Sequence, residues 1–355
     1  MNSASTTDRI DSGRLLGALL EAGTVDGTAR LNGLTYAPIG IGHTADTFKV
    51  ELDWDDAATQ PRTLIAKIPS LDSQSSQTAS ALGAYEREAL FYERLAPRAD
   101  ATVPRYYGVI EYDGQRSGLL LEDLSGKAEP GDQFVSADPA VIAKVRTQLA
   151  ALQAPFWNDD STGQEEWLHR RLGVPIPSIM ERMERSWSTA RDDLAKDFAT
   201  DERDMIDRFV AGAAGWAEAL DGPFSITHHD FRIDNFLFSD DAVYLLDWQT
   251  AGWGVPMFDL AYLHGTSFDT PVRRDVEKDQ IRQHVEDLAA HGVDWTFDDA
   301  WLRYRQASFA VLLMLVPPTG SVKRTERGDD MFRRLLSLGA RMALDLDADE
   351  FLPKA

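Results

Sequence analysis

The stretch from Ile226 to Leu260, ITHHDFRIDNFLFSDDAVYLLDWQTAGWGVPMFDL, concentrates side chains able to do chemistry. Phe236 to Phe238 and Val243 to Leu246 are β-prone runs on either side of Ser239, Asp240, Asp241 and Ala242, a pattern that predicts a hairpin. Folded about that turn, it sets Asn235 and Asp247 opposite each other at its open end, at roughly the 5 Å of cross-strand neighbours. An amide oxygen beside a carboxylate suits Mg²⁺, which takes one or two protein oxygens and fills its shell with water and phosphate oxygens. Asp230, on the loop before the hairpin, is then placed to meet a hydroxyl while the ion holds phosphates, which is the position of a general base. A metal hydrolase built on His228, His229 and Asp230 is disfavoured, because neighbours on an extended segment point to opposite faces.

The spacing His228-x-Asp230-x-x-x-x-Asn235, with Asp247 on the far arm of the hairpin, is similar to the catalytic and metal-binding loops of protein kinases. Asp247-Trp248-Gln249 stands where those enzymes carry Asp-Phe-Gly, and no Ala-Pro-Glu segment follows. The continuation through Gly252, Gly254, Pro256 and Asp259-Leu260-Ala261 resembles instead the aminoglycoside phosphotransferase and choline kinase superfamily, in motif most of all its ecdysteroid-kinase-like members. The resemblance implies an α+β, bilobal protein-kinase-like fold: an N-lobe antiparallel sheet with one helix, then a larger, mostly helical C-lobe. It implies ATP and Mg²⁺ as cofactors and transfer of phosphate to a hydroxyl of a small molecule. By it, Asp230 is the base, Asn235 and Asp247 bind magnesium, and His228 and Asp259 brace the catalytic loop. His229 stands where the family usually has glycine, which bears on either the backbone shape there or the polarity beside Asp230. Leu149 to Trp157 is similar to the family's first large-lobe helix, with Gln153 where histidine is common.

Such chemistry requires elements that hold a nucleotide, and the first third of the chain offers candidates. Ile39 to Val50 is a glycine-containing turn leading into a strand, where Gly40 and Gly42 would let bare backbone approach phosphates. Lys67 lies in the apolar strand Leu64-Ile65-Ala66-Lys67-Ile68, where its charge calls for an acidic partner or a phosphate. A helix over Ala81 to Leu95 carries Leu82, Tyr85, Ala89 and Tyr92 on one face. Glu88 lies one turn from both tyrosines and faces inward, whereas Glu86 points about 200° away, so Glu88 is the expected partner of Lys67. Gly118 to Leu124 ends the sheet region, where Glu122 and Leu124 would offer backbone groups to adenine. The Ser/Gln-rich segment SLDSQSSQTAS reads as an exposed loop.

Asp138 and Pro139 then start a helix with an apolar stripe of Val141, Val145, Leu149 and Leu152. Met205, Phe209, Trp216 and Leu220, and the apolar stretch Trp301 to Leu344, continue the helical pattern. The turn-rich LSGKAEPGDQ marks the division into a nucleotide-binding lobe, residues 1–124, and a helical catalytic and substrate lobe, residues 125–355. Acceptor contacts would come from Trp157 to Asp204 and the helices after Thr266, where no motif is readable. Trp167, Trp187, Trp253 and Trp301 read as core rather than as a pocket lining.

Composition narrows the alternatives. The 355 residues carry a formal charge of -22, which repels a phosphate backbone and argues against nucleic acid as a partner. Without cysteine there is neither a disulfide nor a thiolate site. No apolar run is long enough for a bilayer and no signal segment is recognisable, so a soluble, cytoplasmic chain is expected. Two rival functions stand beside a small-molecule kinase: a non-catalytic nucleotide-binding relative, against which the complete set of base, ligands and lysine argues, and a protein kinase.

Overall fold

The computed structural model describes residues 9–41, 45–56, 59–70, 73–112, 114–170, 176–320 and 324–354. Buried and exposed side chains alternate along Ala45–Trp54 and Thr63–Pro69, as the two-residue period of a strand requires when one face meets a core. These are β2 and β3 of a five-stranded antiparallel sheet ordered β1-β2-β3-β5-β4, with β1 Leu31–Ile41, β4 Tyr106–Tyr112 and β5 Gln115–Glu122. Phe48, Val50, Leu64, Ala66, Ile110 and Leu120 form its core with Leu15 and Leu19 of helix α1, Ser12–Glu21. Asp11 caps α1 by accepting the Arg14 amide. The helix lies so close to β4 that a Cβ on Gly108 would come within 2.7 Å of the Ala18 carbonyl oxygen, which only glycine avoids.

The chain divides into two compact units. The first comprises Met1–Arg98, Val103–Ala128 and Leu246–Gln249; the second comprises Ala99–Thr102, Glu129–Leu245 and Thr250–Ala355. In the first, the Ser/Gln-rich segment differs from the loop expected: it forms helix α2, Ser73–Ala81. Serine and glutamine are tolerated in helices, so polarity alone does not exclude one. Gly83, with φ 64°, then breaks the helix expected over Ala81 to Leu95, leaving Leu82 exposed, and a new helix α3, Ala84–Leu90, follows and widens into a π-helical turn, Phe91–Leu95.

The second unit is mostly helical, and its first helix, α4 (Pro139–Gln153), is capped by Asp138 with Pro139 at its start. Its buried stripe is Ile142, Val145, Leu149 and Leu152, one position round from the expected Val141. A short α5, Asp160–Gly163, is followed by α6 and α7, Ile176–Leu194 and Thr200–Ala219. Farther on come α8 (Met257–Ser267), α9 (Thr270–Ala290), α10 (Phe297–Ala307), α11 (Ala310–Leu315) and α12 (Glu326–Asp345). Met205, Phe209, Trp216 and Leu220 are buried with Phe309, Leu312, Leu335 and Leu336 in the main core. Two three-stranded sheets carry the loops: β10-β9-β6 (Val243–Leu245, Phe236–Phe238, Glu129–Pro130) and β7-β11-β8 (His169–Arg170, Gly252–Gly254, Ser225–Thr227). No helix among the described residues is long and apolar enough to cross a membrane.

Candidate active site

In the first unit, β3 projects Lys67 from an otherwise apolar strand, and α3 brings Glu88 to it. The ammonium lies 2.8 Å from Glu88 Oε2 and 2.9 Å from Asp247 Oδ1. Glu88 is 2% exposed while Glu86 is exposed, as the helical spacing predicts. Burial opposes the charge on Lys67, but the two carboxylates outweigh it and raise its pKa. Burial raises Glu88 as well, with Lys67 counteracting and Asp247 adding to the rise.

Asp247 is held in place by its neighbours. Its φ of 62° turns the chain out of the strand direction, a strained conformation for a residue with a side chain. Trp248 stacks on Phe91 with ring centroids 3.5 Å apart, and Arg87 Nη1 donates to the Gln249 carbonyl at 2.8 Å. Arg87 is buried, which lowers its pKa to about 10. The Asp247 side chain is 39% exposed, so its carboxylate reaches solvent.

The other expected nucleotide contacts lie apart from this cluster. Glu122 pairs with Leu64 whereas Lys67 pairs with Leu119, a separation of about 10 Å along β5. The Glu122 amide donates to the Arg105 carbonyl, and the Leu124 carbonyl closes a turn by accepting the Lys127 and Ala128 amides. Gly40 sits in β1 opposite Thr47, just past a bulge. Gly42 lies outside the described residues.

In the second unit, the predicted hairpin is present, with Val243 opposite Phe238 and the Ser239 amide donating to the Ala242 carbonyl at 2.9 Å. The ladder stops at Leu245 opposite Phe236, so the expectation that Asn235 and Asp247 form a cross-strand pair is not met. Asn235 instead closes the 3₁₀ turn Ile233–Asn235, and the left-handed Asp247 lies beyond the strand.

That turn brings Asn235 to Asp230. Asn235 Nδ2 donates to the Asp230 carbonyl at 2.7 Å and to Asp230 Oδ2 at 3.0 Å. With its amide nitrogen so engaged, the Asn235 oxygen remains the acceptor end of the side chain and suits a hard cation. Asp230 Oδ1 accepts the Tyr262 hydroxyl at 3.0 Å and lies 3.3 Å from Arg232 Nε. A carboxylate oxygen can accept two hydrogen bonds, so Oδ2, with one donor from Asn235, has capacity to receive a hydroxyl proton.

Asp259 and His228 hold the loop from beneath. Asp259, wholly buried on α8, accepts the His228 amide at 2.7 Å and the His229 amide at 2.8 Å. Burial raises its pKa to about 7 against the lowering effect of these two donors. His228 is also wholly buried, and its Nδ1 accepts the Asp230 amide at 3.3 Å, which leaves the ring proton on Nε2 in the neutral form. It acts through the loop backbone. Residues 131–133 support the loop from another side: the Gln133 amide donates to Asp234, and Arg232 Nη1 donates to the Gln133 side chain at 2.8 Å. Gln153, buried in α4, donates to the Pro256 carbonyl at 3.0 Å, anchoring the segment that leads into α8.

Sequence spacing had not singled out Tyr262, Arg87 or Gln133. For Tyr262 a signal existed, since it follows Asp259 by three residues on one helix and therefore shares its face. Of the four tryptophans, Trp187 and Trp253 are buried and Trp167 and Trp301 are half-buried. Among the described residues no group of three or more His, Asp or Glu could hold a metal. Magnesium does not require one, because it commonly takes one or two protein oxygens and completes its shell with phosphate and water.

Comparison with known proteins bears on this geometry. The profile of the phosphotransferase enzyme family (APH) matches residues 35–334. No curated protein matches the chain in sequence. Among solved structures, a Ralstonia eutropha JMP134 protein assigned as an aminoglycoside phosphotransferase superposes with a TM-score of 0.60 at 17% identity, covering 95% of this chain and 99% of that one. Choline kinase from Cryptosporidium parvum Iowa II gives 0.56 at 10% identity, covering 90% and 92%. The GDP complex of aminoglycoside 2′-phosphotransferase-IIIa gives 0.53 at 15% identity, covering 89% and 94%. The chain thus shares the fold of these kinases.

Proposed function

Starting from the chain's membership of the phosphotransferase enzyme family, we propose that it transfers the γ-phosphoryl group of ATP to a hydroxyl of a small molecule, directly and in line, with Mg²⁺. The observation that carries this reading is Lys67, held between Glu88 and Asp247 at 2.8–2.9 Å. An ammonium fixed by a helix glutamate beside a solvent-reaching aspartate is what the α- and β-phosphates of a nucleotide and its metal require.

Asp230 Oδ2 takes the proton of the acceptor hydroxyl, a contribution of roughly 100- to 10,000-fold for a positioned base. Tyr262 and Asn235 keep the carboxylate from rotating away. Lys67 holds the α- and β-phosphates, and Glu88 keeps it aimed. Asn235 and Asp247 are the residues that would hold magnesium, which supplies electrostatic stabilisation of the phosphoryl oxygens when bound. The GDP bound by one structural relative supports nucleotide use. Asp-Trp-Gln in place of Asp-Phe-Gly disfavours a protein substrate.

The test is thermal melting of the wild type and of Asp247→Ala with and without Mg-ATP, since a ligand of the folded state raises the melting temperature by mass action. A magnesium-dependent rise confined to the wild type is expected. Absence of any rise at millimolar Mg-ATP would refute the nucleotide site. Where the site holds, loss of product with Asp230→Asn in a screen of small-molecule alcohols tests the base.

A further inference from the structure

His229 combines three features that its place in the chain alone does not require. Its φ is 63°, a left-handed conformation that is strained for a residue bearing a Cβ and persists only where surroundings enforce it. Its side chain is turned inward, leaving the residue 2% exposed. And its ring is bonded to a distant segment, with Nδ1 3.0 Å from the Thr250 carbonyl oxygen. A carbonyl accepts only, so Nδ1 carries the proton.

The surroundings are shaped to the ring. A Cβ on Gly252 would fall 2.5 Å from His229 Cε1, and one on Gly254 would fall 3.2 Å from Nε2. The Thr227 hydroxyl oxygen is 3.0 Å from Nε2 and 3.4 Å from Nδ1. Distances so nearly equal place it over the ring face, because an in-line partner of one nitrogen lies much farther from the other. Phe258 meets the ring edge-on, with centroids 5.1 Å apart. The bonding is reciprocal: the Thr250 hydroxyl donates to the His228 carbonyl at 2.7 Å, while the His229 amide donates to Asp259.

We infer that His229 is a positioning residue, a clamp that binds residues 227–230 to residues 250–254 and thereby fixes the direction in which the next residue, Asp230, leaves the loop. The clamp itself stands on geometry alone; its effect on turnover rests on the proposed phosphotransfer. Strain at the backbone of His229 is held by the ring's bond to Thr250 and by the two carboxylate-accepted amides below it. Glycine at this position would adopt the same φ without strain but would let the loop move.

The experiment compares wild type, His229→Gly and Thr250→Val, the last keeping side-chain shape while deleting the bond to the His228 carbonyl. Hydrogen–deuterium exchange read by mass spectrometry should show exchange of residues 226–236 about 5- to 30-fold faster in both variants, the effect of losing one or two hydrogen bonds, with α7 and α12 unchanged. Unchanged exchange across 226–236 overturns the clamp whatever the protein's activity. Hydrolysis of Mg-ATP, with water as the acceptor, supplies the second readout: kcat falls by at least about tenfold while KM for Mg-ATP stays within twofold, as expected for an interaction that serves the transition state. A parallel rise in KM, or an unchanged kcat with exchange accelerated, overturns the positioning role. Failure of the wild type to bind Mg-ATP refutes the proposed function and leaves the exchange result to decide the clamp.

Discussion

His284 of α9 is wholly buried, and neither ring nitrogen has a protein partner among the described residues. Burial, with the Arg146 guanidinium nearby, lowers its pKa to about 3. The ordinary value is 6.5, so the folded state resists a proton that the unfolded chain accepts. Stability from this group is therefore complete above pH 6.5 and is lost as the pH falls toward 3. At pH 5 the penalty is about 1.4 kcal/mol per unit over 1.5 units, or roughly 2 kcal/mol. His264 behaves alike: burial lowers it to about 3, assisted by Arg273, His284 and Arg146. Asp259 runs the other way, because its folded value of about 7 lies above the ordinary 3.8 and its protonation favours the folded state as pH drops. The whole-protein pH profile mixes these opposing effects, so the clean perturbation is a difference. Urea unfolding of wild type and His284→Leu, followed by tryptophan fluorescence, to which Trp187 and Trp216 contribute from the buried core of the same unit, should be measured at pH 7.5 and pH 5.0. Whatever the gap at pH 7.5, it should move by roughly 2 kcal/mol in favour of the leucine variant at pH 5.0. Parallel stability changes would show that His284 is not held neutral and would refute the reasoning.

Lys67→Ala leaves Glu88 buried without its cation and should cost about 3–5 kcal/mol in urea unfolding, while adding Glu88→Gln should recover much of that loss; a purely additive double variant would deny the pair. Asp259→Ala strands two buried amides and should cost roughly 2–6 kcal/mol at about 1–3 kcal/mol each, measured by the same unfolding. Tyr262→Phe removes one donor from Asp230 Oδ1 and should lower kcat about five- to tenfold with Mg-ATP binding intact, a split that kcat and the nucleotide-induced melting shift together would reveal. Gly252→Ala should destabilise by about 1–3 kcal/mol or more through overpacking, since its Cβ would meet both the His169 carbonyl and the His229 ring.

Residues whose roles follow from local periodicity were legible in the sequence. Glu88 rather than Glu86 faces Lys67 because a helix places positions three and four apart on one side. The hairpin turn at Ser239–Ala242 was legible from the β-prone runs on either side of it. What escaped the sequence depends on backbone conformation or on partners far along the chain. Asp247 and His229 both adopt positive φ, which residue type does not announce when the residue is not glycine. The first lies past the end of the ladder, so the expected Asn235–Asp247 pair does not form, and the second turns its side chain inward. The Ser/Gln-rich helix was missed because polarity speaks to exposure and not to backbone geometry.

The partners of Asp230 show how far the two kinds of information must be combined. Asn235 lies five residues away and is brought back to Asp230 by one 3₁₀ turn. Tyr262 lies 32 residues away and arrives only because α8 anchors the loop through Asp259 one turn earlier. A single helical face thus supplies both the carboxylate that fixes the loop backbone and the hydroxyl that fixes the side chain of the proposed base. Moving α8 by a fraction of an ångström would disturb both at once. The two effects should therefore be non-additive: Asp259→Asn combined with Tyr262→Phe should lower kcat by less than the product of the single losses. If the double variant's loss equals that product, the two residues act independently, and α8 is not the common support that this geometry describes.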